Sequence, residues 1–137
     1  MSKKKKIIIA LFFVSVAFIA FRAFVPQYFF DEDIHIDILS VDIVDSNGIR
    51  TEISDEIDIE HLEHVLHLMQ CSRTKNAPGS YQLGEIAYYI YLSYDNTYYQ
   101  ISLTDTNVYH IWNVYTTSGH KIKNGDVWFN MVHELAV

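Results

Sequence analysis

The sequence predicts an α+β protein. An N-terminal transmembrane helix is followed by a small antiparallel sheet of about five strands, packed with one or two helices. Three observations carry that expectation. An unbroken run of apolar or small residues, Ile7 to Phe21, follows Lys3, Lys4, Lys5 and Lys6. Beyond it, several short segments alternate apolar and polar residues with the period of a strand. Between two of these segments, Ile59, Leu62, Leu66 and Met69 recur at helical spacing.

The amino segment comes first. Ile7 to Val25 is 19 residues, and at about 1.5 Å per residue this reaches roughly 28 Å, against a hydrocarbon core of about 30 Å. Arg22 lies within one turn of the end, where a long side chain can snorkel to the headgroups. Pro26 closes the segment, and Asp31, Glu32 and Asp33 follow. The lysines hold the amino end in the cytoplasm, so the expected location is the cell membrane, single-pass, with the C-terminal domain extracytoplasmic. Residues 1–25 are then the cytoplasmic end and signal anchor, with residues 7–25 in contact with the lipid bilayer. Residues 26–33 are a juxtamembrane spacer and 34–137 the extracytoplasmic α+β domain. A cleaved signal peptide is the competing reading, but no Ala-x-Ala triplet closes the run, and phenylalanines surround Ala17 and Ala20.

Composition narrows the function classes. The 137 residues suit one domain behind the anchor. Five glycines and two prolines exclude collagen and most low-complexity disorder, and one cysteine excludes a disulfide framework or a multi-cysteine zinc finger. Five basic residues and all 17 acidic ones lie beyond Pro26, a formal charge of −12 for that part. Such a domain repels phosphate backbones and anionic headgroups, so no nucleic acid partner is expected. A cationic peptide or a basic protein surface is compatible with it.

The elements of the domain follow in order. Ile34, Ile36 and Ile38 alternate with His35 and Asp37, then Leu39, Val41 and Ile43 continue with opposite parity, which predicts a β-bulge near Leu39–Ser40. Asp45-Ser46-Asn47-Gly48 turns the chain. A loop with Gly48 in the left-handed region sets Val41 opposite Ile53 and Ile43 opposite Thr51. Asp58 is a good N-cap, with Ile57 and Leu62 as a hydrophobic staple. Ser72 to Leu83, containing Pro78-Gly79, reads as a loop. Ile86 to Ser93, then Tyr99 to Leu103, then Val108 to Val114 read as an antiparallel meander, turned at Asp95-Asn96 and at Asp105-Thr106-Asn107. Thr117-Ser118-Gly119 is a further turn, and Asp126 can cap a short helix bearing Trp128, Phe129, Val132 and Leu135.

Two groups of side chains are candidate sites. Glu60, His64, His67 and Cys71 are spaced to line the polar side of the helix, with His61 nearby. His64 and His67 are three apart and can share a zinc or copper ion, which His35 or His110 from the sheet would have to complete. The same histidines can titrate near pH 6.5, which permits pH sensing without indicating it. The second group is tyrosine. Tyr89, Tyr91, Tyr109 and Tyr115 are expected on the sheet face opposite the aliphatic positions, where exposed aromatics can carry binding energy at low entropic cost. Nucleophilic chemistry finds no support. There is no Gly-x-Ser-x-Gly elbow and no phosphate-binding glycine loop, and Cys71 has histidine company only along one predicted helix. No cofactor is expected and no catalytic residue is assigned.

The Lys-Lys-Lys-Lys start, the single apolar segment, the stretch VDIVDSNGIRTEISDEIDIEHLEHVLHLM and the strand YYQISLTD together give an organisation that resembles small membrane-anchored extracytoplasmic proteins of Gram-positive bacteria. The resemblance covers the whole chain in pattern, lacks the lipobox cysteine of their lipoproteins, and implies no particular activity. The expected function is a non-enzymatic, membrane-anchored domain that binds a protein or peptide partner. The alternatives are an immunity or envelope-stress protein against a cationic peptide, and a metal-binding protein using the histidine-bearing helix.

Overall fold

A computed structural model describes residues 2–24, 27–76, 81–105, 108–116 and 118–136, without the side chains of 22–24 and 73–76. Among these residues the order is α1 (Lys3–Phe24), β1 (Ile36–Val44), β2 (Arg50–Glu52), α2 (Ile59–His67), β3 (Cys71–Asn76), β4 (Ala87–Tyr94), β5 (Thr97–Thr104), β6 (Tyr109–Asn113), β7 (Gly119–Ile122) and α3 (Gly125–Ala136). The protein is α+β. Its strands form one seven-stranded sheet in the order β2-β1-β4-β5-β6-β7-β3, antiparallel throughout.

α1 carries its apolar side chains exposed: Ile7, Phe12, Phe13, Val14, Ile19 and Phe21 are all more than half accessible. Among the described residues no helix is long and apolar enough to cross a membrane. The charge-free stretch Ile7–Phe21 is 15 residues, about 22 Å of helix against the roughly 30 Å of a hydrocarbon core.

Alternation decides the two faces of the sheet. In β4, Tyr88, Ile90 and Leu92 are buried on one face, while Tyr89, Tyr91 and Ser93 point to the other. The first face is covered by α2, through Leu62, Val65 and Leu66, and by α3, through Phe129 and Val132. Val41, Ile101, Leu103, Ile111 and Ile122 complete the core from the neighbouring strands. Burying the Tyr88 ring in this layer requires a partner for its hydroxyl, and His133 Nδ1 on α3 lies 2.5 Å from it. Burial also pushes the Tyr88 phenol above its ordinary pKa.

The first hairpin forms as its residues dictate. The pairing of β1 with β4 slips between Ile38 and Ser40, so the bulge sits where the apolar parity changes. Asp45 Oδ1 accepts from the backbone N–H groups of Asn47 at 2.9 Å and Ile49 at 3.0 Å, and Gly48 adopts φ +80°. Ile43 pairs with Thr51, and Ile53 N–H donates to the Val41 carbonyl at 2.8 Å. Asp58 caps α2 by accepting from His61 N–H at 3.1 Å. Between β4 and β5, Asp95 and Asn96 take φ of +48° and +61°, the two-residue turn whose backbone twist suits a hairpin.

Four expectations give way. The sheet has seven strands rather than about five, because Cys71–Asn76 and Gly119–Ile122 pair with each other as β3 and β7. Neither has a run of alternating apolar residues; backbone pairing and the burial of Cys71 and Ile122 hold them. Gly119 is therefore a strand residue whose added Cβ would meet the Ile111 carbonyl and the Trp112 side chain. The segment read as a spacer supplies Phe30 to the core and pairs Tyr28 with Gln70. Asp126 lies inside the first turn of α3 rather than at its cap, since the helix begins at Gly125. The predicted turns at 105–107 and 117–119 fall partly outside the described residues.

Gly125 tests how closely α3 approaches the sheet. A Cβ there would overlap the root of the Tyr109 side chain, at its Cβ and Cγ. Helix propensity alone makes Gly125→Ala stabilising by about 1 kcal/mol, whereas overpacking costs about 1–3 kcal/mol. The overlap is at the inflexible end of the ring, so the second effect wins. Urea denaturation of Gly125→Ala should show net loss of stability; a gain would mean that α3 moves away from Tyr109 freely.

Candidate functional site

Four of the central strands present a face that bears neither α2 nor α3. Pairing places Asp42 beside Tyr89 and Ser40 beside Tyr91. It sets Tyr89 opposite Ser102 and Tyr91 opposite Gln100. Beyond these, His110 pairs with Ser102 and Trp112 with Gln100, so both lie on the same face. His110 is partly buried, and desolvation first, then Lys121, hold its pKa below the ordinary imidazole value.

Arg50, on the short edge strand β2, organises one side of this face. Its Nε donates to Asp42 Oδ2 at 2.7 Å, and its other branch donates to the Tyr91 hydroxyl. The guanidinium lies 5.0 Å from the Tyr89 ring centroid and 5.6 Å from that of Tyr91. A planar, delocalised cation suits both demands at once, since its edge donates to oxygen while its face rests on rings. The Asp42 hydrogen bond is the largest cause holding Arg50 above its ordinary pKa, against the opposing effect of burial. Burial raises the Tyr89 phenol, and the Arg50 charge opposes that rise.

The bulge supplies the most distinctive feature. Because Ile38 pairs with Leu92 on the covered face and Ser40 with Tyr91 on the other, Leu39 is the extra residue and stays 50% exposed. It borders a shallow apolar depression of about 190 Å³ with Tyr91, Tyr98, Val114 and Tyr115. Tyr98, Val114 and Tyr115 are 44%, 44% and 72% exposed. Tyr98 and Tyr115 meet edge to face at a centroid distance of 5.9 Å. The turn that holds Tyr115 is fixed by the Asn113 side chain, which accepts from Tyr115 N–H at 2.9 Å, and by Val114 N–H donating to the Tyr98 carbonyl at 3.1 Å.

The four tyrosines expected to share a face are divided by the fold. Tyr91 and Tyr115 border the apolar depression and Tyr89 lies beside it under Arg50. Tyr109 pairs with Leu103 and packs beside Gly125, so it belongs to the covered face. Leu39, Tyr98, Val114 and Arg50 are additional members. Leu39 was readable in principle, as the apolar residue that the parity change leaves without a core position.

The helix face divides in the same way. α2 ends at His67, and Cys71 lies one element later in β3, buried, with its thiol pushed up by desolvation. It is no member of a helical stripe and no activated nucleophile. Glu60, His61, Glu63, His64 and His67 border an open cleft on the outer side of α2. His35 reaches Glu63 rather than His64, with Nδ1 2.7 Å from Oε1, and His67 Nε2 stands 3.8 Å from the same oxygen. His110, on the helix-free sheet face, is on the wrong side of the sheet to join them. Among the described residues no group of three His, Cys, Asp or Glu side chains is arranged to hold a metal ion.

The arrangement around Arg50 predicts that size and charge alone cannot replace it. Arg50→Lys keeps the charge but loses the fork that bridges Asp42 and the Tyr91 hydroxyl and the stacking on both rings, so it should cost about 1 kcal/mol or more. Equal urea midpoints for Arg50→Lys and the parent would show that the stack contributes nothing. The phenols give a second test. Burial raises the folded-state pKa of Tyr88 and Tyr89, and also of Tyr99 and Tyr109. An acid whose pKa is raised on folding binds more protons when folded, so stability is full below the unfolded value of about 10 and falls as pH climbs through the folded values. Denaturation midpoints should therefore drop steeply above about pH 10; a flat profile there would contradict the burial of these rings. No family model matches this chain, and neither the curated proteins nor the solved structures contain a match to it.

Proposed function

We propose that the chain is a non-enzymatic, single-pass membrane protein whose extracytoplasmic domain captures a protein or peptide partner on the helix-free face of its sheet. One observation carries the binding reading: Leu39, Tyr91 and Tyr98 on strands β1, β4 and β5, with Val114 and Tyr115 in the turn after β6, form an outward-facing apolar cluster. Apolar and aromatic anchors on strands lose little entropy on binding and suit a central hot spot. The acidic balance of −12 beyond Pro26 selects the partner's charge, favouring one whose rim is basic. A cationic peptide that acts at the membrane surface meets both demands, which keeps the immunity or envelope-stress reading within the same proposal.

The anchor reading rests on Lys3 to Lys6, on the 19 residues from Ile7 to Val25, and on the exposure of the apolar α1 side chains. Protease added outside protoplasts should remove the domain, and the full-length chain should need detergent for extraction. Recovery in the soluble fraction without detergent would overturn that part.

The binding face has its own test. A photoreactive side chain placed at Tyr115 in intact cells should yield a discrete adduct, absent when Tyr98→Ala is introduced and retained with Tyr109→Phe. Loss of one aromatic hot spot of about 2 kcal/mol corresponds to roughly 30-fold weaker capture. An adduct that survives Tyr98→Ala together with Leu39→Ala would exclude this surface.

A further inference from the structure

The formal charge of −12 beyond Pro26 is unevenly placed. Four of the five basic residues there, Arg73, Lys75, Lys121 and Lys123, fall on or just after β3 and β7, at one end of the strand order. Residues 70–76 and 118–125 contain no acidic residue. Lys121 and Lys123 are exposed, and neither has an ion pair among the described residues, whereas the fifth cation, Arg50, is held by Asp42. Lysine on an edge strand ordinarily deters pairing with a foreign strand, which accounts for Lys75 on β3. It does not account for Lys121, because β7 is paired on both sides, with β6 and with β3.

α1 joins the domain at this same edge. Cys71 N–H donates to the Gln27 carbonyl at 3.0 Å, and Phe29 N–H to the Met69 carbonyl at 3.4 Å, so residues 27–29 run along the start of β3. On the other side of that start, Lys123 N–H donates to the Gln70 carbonyl at 2.8 Å. Tyr28 pairs with Gln70, so Lys123 is two strand spacings, about 10 Å, from Tyr28. Gln27 is three residues past Phe24, a link of at most about 11 Å. The acidic triplet Asp31-Glu32-Asp33 is carried elsewhere. Phe29 first meets His120 and Tyr99, with ring centroids 6.0 and 5.1 Å away, and Asp31 N–H then donates to the Tyr94 hydroxyl on β4. Tyr28 and Leu68, 51% and 45% exposed, add apolar surface where α1 joins.

We propose that the β7–β3 edge rests on the anionic headgroups of the bilayer that holds α1, with Lys121 and Lys123 meeting lipid phosphates and Arg73 and Lys75 adding charge at the same edge. This rests on the anchoring reading and adds an orientation to it. One lysine or arginine beside an anionic membrane strengthens binding roughly fivefold, and the gain fades within a Debye length. The net charge of the domain opposes such a contact. Gathering the cations at one edge, with the acids placed elsewhere, removes that opposition at the point where α1 joins. An acidic polypeptide would answer the charge equally well. It gives no reason for the cations to lie beside α1, and no use for the exposed Tyr28 and Leu68, which suit a bilayer interface.

The test places the full-length chain in nanodiscs of phosphatidylcholine, with or without phosphatidylglycerol, carrying a trace of lipid with a gadolinium chelate on its headgroup. Broadening of NMR amide signals then reads which part of the domain lies on the lipid. Residues 119–123 should broaden several-fold more in the anionic discs, and high salt should remove the difference. Arg50–Glu52 in β2, at the opposite end of the strand order, should not respond. Lys121→Gln with Lys123→Gln should cut the effect of anionic lipid about fivefold or more, with the amide spectrum otherwise unchanged. Arg73→Gln with Lys75→Gln should reduce it independently. Equal broadening in neutral and anionic discs, or broadening centred on β2, overturns the proposal and leaves the anchor standing. So do shifts of residues 119–123 by polyglutamate with no response to anionic lipid, which would assign the edge to an acidic polypeptide. A chain that fails to enter the discs overturns the anchoring reading and this proposal with it.

Discussion

Everything in the domain depends on the alternation of β4 at the centre of the sheet. Tyr88, Ile90 and Leu92 face the helices, and Tyr89, Tyr91 and Ser93 face away. A slip of one residue would exchange these sets, burying Tyr89 and Tyr91 under α2 and α3 while exposing the core. The register is therefore held from both sides. The Asp95-Asn96 turn sets β4 against β5, and the Tyr88 hydroxyl finds its partner on His133 only when that face is inward. The stacked Phe129 and His133 rings, 11° from parallel, hold the imidazole in place.

The bulge in β1 is the one departure from that regular pattern, and it converts a core-forming strand into part of a surface. Without it, Leu39 would need a paired position and the parity of Val41 and Ile43 would fail. With it, Ile36 and Ile38 share the covered face with Val41 and Ile43, and the surplus apolar residue is turned out beside Tyr91. Bulges commonly re-aim a side chain in this way.

What could be read from the residues was local. The parity change located the bulge, Asp45 to Gly48 located the first turn, and Asp58 located the start of α2, because each depends on neighbours within a few positions. β3 and β7 were hidden, since their backbone pairing is made across roughly 50 residues and leaves no periodicity in Cys71–Asn76. The helical stripe ending at Cys71 failed for a related reason: periodicity continued past His67, while the chain turned to enter the sheet. Tyr109 was misplaced because Val108, Trp112 and Val114 read as the covered set, whereas Ile111 between them carries that face and Tyr109 shares it. The pairing of Tyr28 with Gln70 was invisible, as the two meet only after the segment behind α1 folds onto the core through Phe30.

That folding back also sets the segment behind α1 against the sheet opposite the apolar cluster. Tyr98 and Tyr99 are adjacent in β5 and so point to opposite faces. Tyr98 meets Tyr115 in the apolar cluster, whereas Tyr99 meets Phe29 of the segment behind α1, edge to face at 5.1 Å. The cluster and that segment are thus back to back at the β4–β5 end of the sheet. Phe29 is five residues beyond α1, so its backbone lies no more than about 18 Å from the helix end. On the proposed anchoring, the apolar cluster is held close to the bilayer rather than projected from it. A partner reaching it must travel along the membrane surface or end there. On the same proposal, the acidic charge of a domain kept at that height favours basic partners over the anionic lipid beneath them.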